Sequence, residues 1–220
     1  MDEYILNHDI QFSLPDQGDE VNLTRNGGFE DYTDYWEFFG EAGNWSIEMN
    51  GYPIHQSEEL LEVYEGENAL KLWGSFQNDG ENWTDVSQTH FNILPGGRIN
   101  VSAKLMSHAD DWIGETDNSA GTNEVYLSIY FYDHNGYYLG EIYSNEFNGT
   151  FEPGEWHHFE AEGIVPDGAH YLYSGITFHQ RDFREGSVFI DDFQLTMGSN
   201  FVQTARVEAV SYTHLTLPTM

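Results

Sequence analysis

Val125-Tyr126-Leu127-Ser128-Ile129-Tyr130-Phe131-Tyr132 is the stretch on which the fold class turns. Its alternation sets Val125, Leu127, Ile129 and Phe131 on one face and Tyr126, Ser128, Tyr130 and Tyr132 on the other, the period of a half-buried β-strand. Asn135-Gly136 follows, a dipeptide suited to the positive backbone angles of a tight hairpin, and Tyr137 to Tyr143 returns as the partner strand. The same alternation recurs in Ile99, Val101, Ala103 and Leu105, in Leu172, Ser174, Ile176 and Phe178, and in Phe189, Asp191, Phe193 and Leu195. Phe91 and Ile93 alternate likewise ahead of the turn Pro95-Gly96-Gly97. With segments near 21–24, 44–49, 69–73 and 156–165, this predicts about nine or ten strands and no helix, hence an all-β sandwich. No fixed-period repeat suggests a propeller or solenoid. The polar stretches 50–68 and 107–123 read as long loops over one end of the sandwich.

Composition narrows the partners. Thirty-eight acidic residues against seven basic ones give a net charge of −31. Such a field repels nucleic acid and anionic membranes, so neither is an expected partner. The bases (Arg25, Lys71, Arg98, Lys104, Arg181, Arg184 and Arg206) are scattered, which argues against polymers of uronic acid. With no cysteine there is no disulfide or thiolate metal site. No apolar run is long enough to span a membrane, and the opening MDEYILNHDIQF lacks the basic and apolar regions of a signal peptide.

The sequence divides into a polar, Gly/Asp-rich segment 1–20, read as a linker or the end of a preceding domain, and one sandwich over 21–198. Residues 199–209 read as the start of a linker to a further domain. The run Val210-Ser-Tyr-Thr-His-Leu-Thr-Leu-Pro-Thr219 looks like the translation of a sequencing adapter, so 210–220 is set aside from the fold.

A resemblance runs in order along residues 21 to 197. Asn26-Gly27-Gly28-Phe29-Glu30, Trp36, Gly66-Glu67-Asn68-Ala69-Leu70-Lys71-Leu72, Val86-Ser87-Gln88-Thr89, Leu94-Pro95-Gly96-Gly97-Arg98-Ile99, Glu155-Trp156 and Val188-Phe189-Ile190-Asp191-Asp192-Phe193 together resemble the carbohydrate-binding modules of families four, nine and twenty-two. The resemblance implies a galactose-binding-like jelly roll, a β-sandwich of two antiparallel sheets. It also implies a structural calcium ion held by Glu30, Asp191 and the carbonyls of Gly28 and Lys71. Calcium takes about six to eight oxygens, which two carboxylates, carbonyls and water can supply. Asp191 shares the parity of Phe189 and Phe193 and is expected to point inward, where a carboxylate needs a cation or strong donors. Strand-end carboxylates that simply accept backbone N–H bonds are the alternative. Trp36 and Trp156 correspond to packing residues.

A neutral glycan site wants flat aromatic platforms among polar side chains. Tyr126, Tyr130 and Tyr132 share the face opposite the core, and Trp83, read as lying in a loop from Asp79, falls where relatives present a stacking Trp. Gln180, with His179 and Arg181 beside it, falls where relatives place a polar sugar contact, and Trp112 is a further platform. Outward tyrosines also suit a strand for propensity alone. Enzymatic motifs are missing: there is no G-x-S-x-G, H-E-x-x-H or phosphate-binding loop, and no cysteine nucleophile. The expectation is a monomeric, non-catalytic module for a neutral polysaccharide of the β-glucan or xylan class. The resemblance places it outside the cell or on its surface, covalently linked to another domain. The rival is a structural or adhesive spacer on the same fold: exposed Trp83 and Trp112 favour binding, both packed under loops the spacer.

Overall fold

The computed structural model describes residues 20–40, 44–54, 58–74, 81–91, 93–114, 123–180 and 186–198. The expectations for 1–19 and 199–220, and the placing of Arg181, lie outside the described residues. The rest form two antiparallel sheets. One has the order β3 (Trp45–Met49), β4 (Asn68–Trp73), β11 (Ser187–Gly198), β6 (Arg98–Met106), β9 (His157–Ile164), with β1 (Glu20–Asn22) also on β11. The other has the order β2 (Glu37–Gly40), β5 (Asn82–Phe91), β10 (Tyr171–Gln180), β7 (Glu124–Tyr132), β8 (Tyr138–Tyr143). One 3-10 turn, Ala109–Asp111, is the only helical element among the described residues. This is the jelly-roll sandwich expected.

The core lies between the sheets. Val125, Leu127, Ile129 and Phe131 meet Leu70, Leu72, Ile99, Val101, Leu105, Val188 and Ile190 there. Trp36 stacks on Phe29 and meets Phe193 edge-on, each at 5.1 Å between ring centres. The hairpin after β7 forms as its sequence predicts. Gly136 takes φ +83°, and the Asp133 carboxylate accepts the N–H groups of Asn135 and Tyr137.

Three expectations change. The segment from 50 lies over the outer face of the β3–β9 sheet, not one end: Ile54, Leu61 and Val63 form a second apolar cluster with Ala69, Met106 and Phe189. Trp156 packs on that cluster, half-buried, donating from Nε1 to the Glu62 carbonyl at 3.0 Å. Second, β2 exists and β5 runs ten residues, so Trp83 stands within a strand and not in a loop. Third, β11 carries a bulge between Asp191 and Gln194, with Asp192 at φ +49°. The extra residue inverts the alternation: Phe193 joins the core, while Phe189 and Asp191 point to the outer face. Asp191 is therefore buried under the covering segment rather than between the sheets.

Candidate functional site

The outer face of the β2–β8 sheet is set by strand register. Gly175 of β10 lies beside Ser87 of β5 and Ser128 of β7, a row of small residues across the sheet. One row to one side stand Asp85, Thr177 and Tyr126, with Phe39 of β2 beside Asp85. On the other side stand Thr89, Tyr173 and Tyr130, then Phe91, Tyr171 and Tyr132. Aromatic rows flanking a row of small residues leave a depression. A cavity of about 310 Å³ opens there, floored by Ser87, Ser128 and Gly175 and walled by Phe39, Tyr130 and Tyr173. Gly175 is required: a Cβ there would come within 2.2 Å of the Val86 carbonyl oxygen.

A second cavity of about 330 Å³ continues the face past Tyr126, lined by Trp83, Glu124, Tyr143, Glu146 and His179. Trp83 is 43% exposed and stacks on the His179 ring, 4.8 Å between centres and 8° from parallel. The imidazole is held between two carboxylates, with Nε2 2.9 Å from Glu81 and Nδ1 3.6 Å from Glu124. Tyr143 donates to Glu141 at 2.8 Å and lies 3.1 Å from the Tyr130 hydroxyl. Burial and these bonds push the Tyr143 phenol up. Burial also raises Asp85, partly offset by its hydrogen bond to Thr177.

Trp83, Tyr126, Tyr130, Tyr132 and His179 thus share one face, as the alternation of β7 implies. Gln180 does not. It is 1% exposed and points between the sheets, where Asn82 donates to its Oε1 at 3.4 Å and a Cβ on Gly74 would strike its amide. In β10 neighbouring positions point to opposite faces, so His179 and Gln180 cannot both reach a ligand. Trp112 follows the 3-10 turn, half-buried against Gly114 with its Nε1 enclosed, and lines neither cavity. The two tryptophans are thus split between the binding and the spacer criteria. Sequence reading missed Phe39, Asp85, Tyr173 and the Ser87–Gly175–Ser128 floor, which only the pairing of β2, β5, β10 and β7 assembles.

The expected calcium ligands lie on the other sheet's outer face. A Cβ placed on Gly28 would stand 3.5 Å from Asp191 Oδ1 and 3.8 Å from Glu30 Oε1, so both carboxylates face the space that this glycine leaves open. Glu30 accepts the N–H groups of Glu67 and Asn68, and Asp191 those of Glu65 and Asp192. Burial nevertheless raises Asp191 to about 6. Asn68 Oδ1 is buried without a partner among the described residues. Two carboxylates that face one space and keep spare lone pairs fit a hard cation. Among the described residues no three His, Asp or Glu side chains cluster as metal ligands, so carbonyls and water would complete the shell. Lys71 stands three positions along β4 from Asn68, and its ammonium turns to Asp111 at 2.9 Å.

No family model and no curated protein matches this sequence. Solved structures do. A cyclase from Fischerella sp. TAU is 12% identical, with 82% of this chain and 98% of that chain covered and a TM-score of 0.55. The enzymatically active domain of tailspike protein 4 of bacteriophage CBA120 is 12% identical over 80% of this chain, TM-score 0.53, and this chain spans 21% of that one. A family 61 carbohydrate-binding module in complex with β-1,4-galactotriose is 20% identical, with 80% and 97% covered and a TM-score of 0.47. Modules of families 22 and 16 are also among the similar structures. At such identities the likeness is one of fold, and this fold carries unlike activities.

Proposed function

We propose that the outer face of the β2–β8 sheet binds a polysaccharide with a neutral backbone, without catalysis, and that a calcium ion at Glu30 and Asp191 stabilises the sandwich. The observation that carries the reading is the pair of neighbouring cavities on this face, both with aromatic walls, the first floored by Ser87, Gly175 and Ser128 and the second carrying Trp83 and Tyr126. A pyranose ring offers apolar C–H faces and an equatorial belt of hydroxyls. Trp83, Phe39, Tyr130 and Tyr173 suit the former, and Asp85, Thr177 and the two serines suit the latter. Both cavities are within the volume range of small-ligand sites. Calcium, being bound by carboxylates behind the other sheet, serves the fold and touches no sugar.

In this reading the domain is an accessory module of a secreted glycoside hydrolase or surface protein, and works by proximity. Holding a tethered partner at a polymer raises its effective concentration there, which needs only modest affinity. The β-glucan and xylan classes are the first to try. Affinity electrophoresis through gels containing xylan, mixed-linkage β-glucan, β-1,3-glucan, mannan or galactan tests it. Retardation by a neutral glycan, lost in Trp83→Ala and in Tyr130→Ala, is the expected result. Folded protein that runs freely in every gel would return the domain to the spacer reading.

A further inference from the structure

A third cavity, of about 450 Å³, adjoins the sugar face at the far end of β5 from Trp83. Arg25, Tyr35, Glu37, Gln88, His90 and Phe91 line it. It holds the one Lys or Arg that lines any of the three cavities described; Lys71, Arg98 and Lys104 stand on strands of the other sheet. The guanidinium lies 5.4 Å from the centre of the Tyr35 ring, a ring 59% exposed. Among the described residues Arg25 forms no ion pair, in a chain with 38 acidic residues. Its backbone is fixed on both sides by one amide: Gln88 Oε1 accepts the Arg25 N–H at 3.2 Å and Gln88 Nε2 donates to the Arg25 carbonyl at 2.6 Å. The Arg25 backbone is therefore fixed at the mouth of the cavity, and among the described residues no carboxylate, Glu37 of the same lining included, stands within ion-pair distance of its guanidinium.

An aromatic row runs from the cavity onto the sugar face. Phe91, 61% exposed, tilts onto Tyr171 at 5.8 Å, and Tyr171 stacks on Tyr132 at 5.3 Å and 10°. His90, at the back, is kept neutral: burial and then the Arg25 charge lower it to about 4. It adds no positive charge, and Glu37 on β2 adds a negative one suited to accepting sugar hydroxyls. A net charge of −31 opposes a ligand charged at every residue. One planar guanidinium beside two exposed rings suits one carboxylate on one sugar.

We propose that this cavity is a subsite for a single uronic acid branch on an otherwise neutral polysaccharide, with Arg25 pairing the carboxylate and Tyr35 and Phe91 flanking the ring. The inference rests on the sugar-binding reading of the adjoining face. Methyl β-D-glucuronide and methyl β-D-glucoside differ only in the group at C6, and amide NMR titration of the full chain with each separates charge from shape. The glucuronide should shift the amides around Arg25, Gln88 and Phe91 and bind about five- to tenfold more tightly than the glucoside, as one charge-assisted contact allows. Arg25→Gln, which leaves the Gln88 backbone bonds in place, should bind the two sugars alike, and Arg25→Lys should restore part of the preference. Equal affinity of the native chain for both sugars, or shifts confined to the Trp83 to Tyr130 region, overturns the subsite and leaves the sugar face standing. No shift with either sugar, together with free migration in every neutral gel, removes both readings.

Discussion

His90 shows how one position carries both stability and site. It sits on the inward face of β5, 2.9 Å from the Ser174 hydroxyl, and its folded value of about 4 lies below the ordinary imidazole value of about 6.5. Between those values the unfolded chain binds a proton that the folded one does not. Stability from this residue is thus complete above about pH 6.5 and is lost as pH falls toward 4, on the order of 3 kcal/mol. His90→Gln should flatten that acid limb in denaturant titrations from pH 4 to 7. His179 acts on the ligand side. As the ring beneath Trp83, it fixes the platform's tilt, so His179→Ala should weaken glycan retardation several-fold and change the Trp83 emission, with little change in melting temperature. Loss of folding in that variant would mark His179 as structural instead.

The bulge in β11 is the element that most changes the reading of the sequence. Strict alternation put Asp191 in the core with Phe193, but one inserted residue sends it to the opposite face. There it meets Glu30 across Gly28, beneath the segment that covers the sheet. Millimolar calcium should raise the melting temperature by several degrees, chelator should reverse it, and Glu30→Ala should abolish the response, read by differential scanning calorimetry. The covering segment is a separable contributor to stability. Leu61→Ala removes a buried side chain from the second cluster and should cost about 2–5 kcal/mol in urea unfolding while leaving glycan binding intact, because the cluster lies behind the other sheet. A β5 strand with Asn82, Thr84, Gln88 and His90 facing inward was illegible for a related reason. Hydrophobic alternation marks a strand only where its inner face is apolar, and this one is polar and hydrogen-bonded.

At the scale of the whole molecule, 38 carboxylic acids against seven bases make self-repulsion a property of the folded state. Screening at 0.5 M salt should raise the melting temperature above its low-salt value, and a neutral glycan's affinity should scarcely change, since stacking and hydroxyl contacts are not screened. The same field leaves Arg25 as a local exception that a ligand can exploit.

By itself the sequence determined that the chain is all β, where most strands run, which way β7 presents its tyrosines, and which partners the charge repels. These follow from local periodicity and from sums over residues, which need no partner strand. Only the tertiary structure decided that Ser87, Gly175 and Ser128 form one floor, that Gln180 turns inward while His179 turns out, that Asp191 lies behind the opposite sheet, and that Arg25 stands at the end of the aromatic row. Each depends on register between strands far apart in the chain or on a single-residue bulge, and one position of register moves a side chain to the other face of the sheet.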